Sequence, residues 1–288
     1  MPMPELPEVE TVRRGLQPVL EGALIVRVEA RRADLRFPLP PRFSQRLTGR
    51  RVTDIARRAK FLLLYLDGPG PVLICHLGMS GSFRIEAEHA VSAPGAFHHP
   101  RSKDAGHDHI VFHVVSADGQ PRRIVFNDPR RFGVMDLVAV EGAATHDALD
   151  ALGPEPLNAA FDAAVLARAC AGKRVSLKVA LLDQRIVAGV GNIYASEALH
   201  HARLSPRRRA STIATRAGAP RDAAVRLVTG IKAVLRKAIA RKEQAYRGGR
   251  FRVYEREGQP CLRPRCPGTI RRITQAGRST YYCPTCQR

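Results

Sequence analysis

The residues best suited to chemistry crowd the end of the chain. Cys261-x4-Cys266 and Cys283-x2-Cys286 are two close cysteine pairs separated by sixteen residues. Four thiolates satisfy a tetrahedral zinc ion at ~2.3 Å each, and two pairs let a β-hairpin hold them. No position is left open on such an ion, so the expected cofactor is one structural Zn2+. A segment this short cannot build its own core, and the metal would supply its folding energy. Between the pairs lie Arg271, Arg272, Gln275, Arg278, Ser279 and Thr280, a set suited to phosphate oxygens.

Three other stretches carry reactive or binding groups. Asp128-Pro129-Arg130-Arg131-Phe132-Gly133 is a turn with two guanidiniums and one aromatic ring. Phe132 is either a buried anchor for the loop or an exposed wedge that unstacks a base step while arginine fills the gap, and composition leaves both open. Gly189-Val190-Gly191-Asn192 opens a helical stretch. It approaches a dinucleotide fingerprint, but the flanking chain is helical and no βαβ unit surrounds it. A tight turn offering backbone N–H groups and Asn192 to a phosphate fits better. His98, His99, His107, His109 and His113 have no cysteine or carboxylate pattern beside them and read as loop or surface histidines, with the His107–His109 stretch able to set one imidazole on a phosphate. Cys75 and Cys170 stand alone in apolar runs and read as small core residues.

These side chains must be held by elements. Pro7-Glu8-Val9-Glu10 looks like a helix start, with Val9, Val12 and Leu16 on one face. From Leu24 to about Leu137 short β-rich runs follow: Leu24–Val28, Phe61–Leu66, Val72–Leu77, His109–Val115, Arg123–Phe126 and Val134–Val138, divided by Gly, Pro and Asp breaks. They predict a sandwich or flattened barrel. Leu152-Gly153-Pro154-Glu155-Pro156 is a candidate linker. Helical patterns then cover Phe161–Ala171, Leu177–Leu182, Ile193–His201 and Asp222–Arg241 and stop by Gly248. The reading is an α+β chain of three parts: a β-sandwich over residues 1–150, a helical part over 151–250 and a cysteine hairpin over 251–288.

Composition narrows the partner. The chain has 288 residues, is 44% hydrophobic and carries a formal charge of +21. That rules out wholesale disorder and points to a polyanion, nucleic acid being the commonest. No apolar run approaches the ~20 residues of a membrane span and no secretory signal is present, so no membrane partner is expected and the default compartment is the cytosol. In a reducing cytosol paired cysteines suggest metal rather than disulfides.

Taken together these residues resemble bacterial formamidopyrimidine-DNA glycosylases. The resemblance rests on Pro4-Glu5-Leu6-Pro7-Glu8-Val9-Glu10 through Leu16, Arg57-Arg58-Ala59-Lys60, His76-Leu77-Gly78-Met79-Ser80-Gly81, the Pro129–Gly133 loop, the Gly189–Glu197 turn and the cysteine hairpin. It spans nearly the whole chain in order. It implies a β-sandwich, a helix–two-turn–helix domain and a zinc hairpin. It also implies excision of oxidised purines, chiefly 8-oxoguanine and formamidopyrimidines, from double-stranded DNA in base excision repair, by a cytoplasmic chain that works as a monomer and joins the nucleoid when bound. Carried onto this sequence, the family's proline nucleophile matches Pro4 and its acid matches Glu5. Lys60 matches the basic residue of β-elimination, and Arg278 the arginine of the later elimination step. His107, Arg130, Lys173 and Asn192 match DNA contacts, and Lys178 a lysine near the lesion. Met79, Arg130 and Phe132 match the trio that fills the hole left by the flipped nucleotide.

Two departures stand out. The first cysteine pair is spaced by four residues rather than two, which should only lengthen the entry to the hairpin. The chain also begins Met1-Pro2-Met3-Pro4-Glu5, which puts Pro4 in an amide unless initiation at Met3 and its removal free the nitrogen. Two rival readings are the sister enzyme endonuclease VIII, acting on oxidised pyrimidines, and a non-catalytic zinc-dependent lesion sensor. The Pro4–Pro7 start and the Arg130–Phe132 loop favour the purine enzyme. The sensor leaves the coincidence of Pro4, Glu5 and Lys60 unexplained.

Overall fold

A computed structural model describes residues 3–68, 71–95, 97–139, 142, 146–240 and 251–288. The chain divides into two compact units, Met1–Asp150 and Ala151–Arg288. No helix among the described residues is long and apolar enough to cross a membrane.

The first unit begins with helix α1, Leu6–Leu20. Pro7 in its first turn lacks the N–H that a helix start would orphan anyway. Val9, Val12, Leu16 and Leu20 are buried on one face, so the helix is longer than the short one expected. Then follow β1 (Leu24–Ala30), α2 (Phe43–Leu47), β2 (Val52–Arg58), β3 (Phe61–Leu66), β4 (Val72–His76), β5 (Ser82–Ala87), β6 (Ala90–Ser92), β7 (Asp108–Val115), β8 (Pro121–Asn127), β9 (Val134–Val138) and the short α3 (Asp147–Asp150). The strands form two antiparallel sheets, ordered β1-β7-β8-β5-β6 and β2-β3-β4-β9. Alternate residues such as Leu62, Leu64 and Leu66, and Ile110, Phe112 and Val114, share one buried core with the apolar face of α1. The architecture is therefore a sandwich rather than a barrel.

Glu10 ties α1 to the sheet: Arg57 Nε on β2 donates to its Oε2 at 3.1 Å. Burial alone would raise the Glu10 carboxyl. Hydrogen bonds from Arg13 and Arg14 and the charges of Arg13 and Arg57 outweigh it and hold the group below its usual range.

The second unit carries α4 (Ala163–Cys170), α5 (Leu177–Leu182), α6 (Asn192–Ala202), α7 (Asp222–Ala240) and a hairpin of β10 (Arg271–Gln275) and β11 (Arg278–Tyr282). Asp162 caps α4 by accepting from Val165 N–H, so Phe161 lies outside the helix that its apolar character suggested it would join. On α7, the Ala224, Leu227, Val228, Ile231, Leu235 and Ala238 face is buried as its spacing predicts. The Leu152–Pro156 stretch is not a bare linker. Gly153 N–H donates to Gln184 O and Ala188 N–H to Pro154 O, which strap it to the helical unit. The expected helix end by Gly248 lies outside the described residues.

Candidate functional site

In the first unit the site residues sit on turns whose backbones are fixed by polar bonds. Glu5 is the residue before α1, and its own N–H donates to Glu8 Oε2 at 3.0 Å. This is half of a reciprocal cap that ties the Pro4–Glu5 peptide to the first turn. Pro4 and Glu5 are both buried. Lys60 lies in the two-residue turn between β2 and β3 and is only 5% exposed. Its neighbour Ala59 has φ 52, a conformation that strains an L residue by ~1–2 kcal/mol. Arg57 Nη1 donates to Ala59 O at 2.9 Å and holds that turn.

The loops of Met79 and Phe132 are packed together. A Cβ on Gly78 would stand 2.3 Å from the carbonyl carbon of Phe132, so only glycine permits this approach. Asp128, fully buried, staples the second loop. Its carboxylate accepts from Ser80 Oγ and, at 2.7 Å, from Gly133 N–H. Ser80 Oγ also accepts from Arg130 N–H at 3.2 Å. The result leaves Phe132 38% exposed, with the Arg130 guanidinium 4.5 Å above its ring. The question left open by composition is answered: Phe132 is presented at the surface, not buried as an anchor. His107 ends a short 3-10 turn; its carbonyl accepts from Asp128 N–H, and its imidazole Nδ1 lies 3.5 Å from Asp104 Oδ2. His109 and His113, by contrast, belong to β7 rather than to a loop, with His109 buried against Asp128 O and His113 on Glu29.

In the second unit the four cysteine Sγ atoms lie within 4.8 Å of one another. Cys261 to Cys286 is 3.8 Å and Cys266 to Cys283 is 3.7 Å. A tetrahedron of ~2.3 Å bonds has edges of ~3.8 Å, so the four thiolates fit a zinc ion. The wider first spacing is absorbed by a turn in which Arg265 takes φ 61. Gly268 is required here, because a Cβ would stand 2.6 Å from Cys283 Sγ. Around the cysteines, His200 Nε2 is 3.4 Å from Cys261 Sγ. Burial first, then nearby arginines, push that imidazole down to about 4. Gln287 accepts from Cys283 N–H and donates to Leu204 O.

Lys178 is fully buried. Its ammonium donates to Asn192 Oδ1 at 2.5 Å, Thr280 Oγ1 at 2.7 Å and Ser279 O at 3.2 Å. Asn192 Nδ2 in turn donates to Ser279 O at 2.9 Å. Lys178 and Asn192 therefore brace the hairpin against the helices. The Asn192 side chain faces the hairpin rather than open solvent. Arg278 is exposed at the tip, where Ala276 and Gly277 have φ 48 and 71. Lys173 is exposed on the loop after α4.

Sequence reasoning did not assign a role to Glu197. Its carboxylate accepts the N–H groups of Arg252, Val253 and Tyr254 at 2.9, 2.9 and 3.0 Å and so docks the chain entering the cysteine module onto α6. Only its place beside Gly191-Asn192 on the same helix hinted at this. Charge-assisted bonds contribute roughly 1.5–3 kcal/mol each. Glu197→Gln keeps the shape and loses the charge, and should lower the melting temperature of this unit by roughly 5–10 °C in calorimetry. A shift under a degree would mean these bonds hold nothing.

Comparison with known proteins matches three stretches of the chain. Residues 3–135 match the formamidopyrimidine-DNA glycosylase N-terminal domain, 152–248 the H2TH domain of the same enzymes, and 258–288 the zinc finger found in FPG and IleRS. The formamidopyrimidine-DNA glycosylase of Azorhizobium caulinodans is 56% identical over 298 residues, covering 99% of this chain and 100% of that protein. That of Mesorhizobium japonicum is 54% identical over 297 residues, with the same coverage. Two solved structures of the Lactococcus lactis enzyme each superpose with a TM-score of 0.80 at 30% identity over 99% of this chain. One is bound non-covalently to DNA with an abasic site and covers 99% of that chain; the other is in complex with DNA containing an oxidised pyrimidine and covers 100%. With its N-terminal sheets, H2TH helices and zinc finger in that order, the chain belongs to the formamidopyrimidine-DNA glycosylase family.

Proposed function

We propose that the chain excises oxidised purines from duplex DNA and then cleaves the abasic strand by β,δ-elimination. In this reading the secondary amine of Pro4 attacks C1′ of the damaged nucleoside. The glycosidic C–N bond breaks, and the base leaves with the electron pair and takes up a proton. Glu5 protonates O4′ as the sugar ring opens, which leaves an iminium between the proline nitrogen and C1′. The iminium acidifies C2′–H. Loss of that proton expels the 3′ phosphate, loss of a C4′ proton expels the 5′ phosphate, and water hydrolyses the iminium to return the amine. Lys60 and Arg278 serve proton transfer and hold the lesion's phosphate. Met79, Arg130 and Phe132 fill the vacated stack, with Arg130 facing the orphan cytosine, and so offset part of the few kcal/mol that extrusion costs. His107, Lys173 and the start of α6 at Asn192 grip the backbone.

The observation that carries this reading is the buried Pro4-Glu5 pair fixed by Glu8 at the first turn of α1, in a chain matched to the family over nearly its full length. The exposed Arg130–Phe132 stack supports the wedge. The test is borohydride reduction of a chain that begins at Pro4 on an 8-oxoguanine:cytosine duplex, with mass spectrometry of the cross-linked peptide. A cross-link on Pro4 is expected. Intact DNA binding with no adduct, or an adduct carried by a lysine, would overturn the proposed nucleophile.

A further inference from the structure

The second unit carries a charged cleft that the reaction does not use. It has a volume of about 490 Å³ and is walled by Arg203, Arg208, Arg226, Arg263, Arg265 and Arg288, beside Cys266 and Cys286. Within this unit it lies at the far end from Asn192 and Arg278. Asn192 starts α6 and Arg203 closes it, so the two ends are ~16 Å apart at 1.5 Å per residue. Arg278 is at the hairpin tip and Cys283 is just past its base, ~16 Å away along β11.

Three of these arginines are aimed in part by neutral acceptors. Arg263 Nη2 donates to His200 O at 2.5 Å, Arg226 Nη1 to Ala202 O at 3.0 Å, and Arg208 Nε to Thr212 Oγ1 at 2.7 Å. Such bonds aim a guanidinium without neutralising it. Arg226 also pairs with Asp222 at 2.8 Å, and a zinc tetrathiolate carries two net negative charges. With the Arg288 α-carboxylate, which Arg208 Nη1 approaches at 3.4 Å, these make four negative charges against six guanidiniums, so the cleft keeps a positive surplus.

Two of the six are also placed against backbone preference. Arg203 has φ 59 at the end of α6, and Arg265 has φ 61 in the cysteine turn. Glycine is the favoured residue at both, and an L side chain costs on the order of 1 kcal/mol there. An arginine kept where glycine would fold better points to a role for its charge.

We propose that this cleft binds the backbone phosphates of a second nucleic-acid segment, separate from the one that carries the lesion. The guanidinium fork matches phosphate oxygens two at a time. An acidic helix would need apolar anchors, and the cleft offers only Pro264 and Pro267. The site is independent of the Pro4 chemistry.

The test uses the zinc-loaded full chain and two differently labelled duplexes, one with an abasic-site analogue and one undamaged. Energy transfer between them reports bridging. The wild-type protein should bridge them. The double variant Arg203→Gly, Arg265→Gly should lose bridging at least tenfold, bind the first duplex within twofold, and melt no lower than wild type, because glycine suits both positions. Single Arg265→Gly should give an intermediate loss and serves if the double variant folds poorly. Inorganic triphosphate should weaken bridging by the wild type more than by the double variant. Absence of bridging by the wild type, or bridging retained by the double variant, overturns the proposal. A polyglutamate peptide that raises the melting temperature of the wild type but not of the variant, where undamaged duplex does not, assigns the cleft to an acidic protein and overturns the nucleic-acid reading.

Discussion

A chain that begins at Pro4 should form a borohydride-trapped adduct with lesion DNA, while the same chain with Met3 still joined to Pro4 should form at least ~10³-fold less. The reason is electronic. The nitrogen of a peptide bond gives its lone pair to the carbonyl, so it is planar and not a nucleophile. A free secondary amine keeps that pair. The full sequence reads Met1-Pro2-Met3-Pro4-Glu5, and only the form that ends at Pro4 has an amine beside Glu5. Both forms should bind undamaged duplex alike, since the phosphate-gripping residues lie elsewhere. The measurement compares the two proteins, checked by intact mass, on one 8-oxoguanine:cytosine duplex. Equal trapping by the Met3-bearing form would remove Pro4 from the mechanism.

Removing the metal should weaken DNA binding at least a hundredfold while the melting transition of the N-terminal sandwich persists. The hairpin is two five-residue strands, marginal on its own in water. Its buried cluster is small: Val253, Cys261, Ile270 and Cys283. The competing influence is the polar bracing by Lys178, Asn192 and Glu197. Those bonds contribute roughly 1.5–3 kcal/mol each where charged and in sum rival the ~10–16 kcal/mol of a structural zinc ion, but they seat the hairpin on the helices, whereas the metal is what joins the two cysteine pairs to each other. Stripping it with a chelator, or making Cys283→Ser, should give the same loss. Affinity retained within threefold after verified metal loss would mean the hairpin is not the clamp proposed here.

Elements bounded by strong breaks were readable from sequence. Phe61–Leu66, Val134–Val138 and Leu177–Leu182 have the limits their apolar runs predict. The strand Val52–Arg58 did not stand out, because only Val52 and Ile55 of its seven residues are buried and the rest are polar, charged or small. Ser82–Ala87 is short and carries Arg84 and Glu86 on its outer face, and those charges masked an alternating pattern. The cysteine tetrad was legible because metal geometry dictates spacing. Pro4, Glu5 and Lys60 were legible only through resemblance, since nothing in their local spacing demands chemistry. Asp128, Glu197 and Gln287 show why the rest was silent. Each is a polar side chain with a partner in another segment, Ser80 Oγ for Asp128, main-chain N–H groups up to 57 residues away for Glu197 and Leu204 O for Gln287, and a contact of that kind leaves no period in the sequence.

The anchoring of the hairpin has a bearing on how this chain can vary. Lys178 and Asn192 both reach Ser279 O, Glu197 takes three main-chain N–H groups, and Gln287 bonds Cys283 N–H and Leu204 O. Most of these grips address the peptide backbone, which is the same whatever residue supplies it. The docked segment can therefore exchange side chains at its tip, Arg278 and its neighbours included, without losing its seat. Reach and selectivity toward a nucleic acid can drift under selection while the mounting stays fixed.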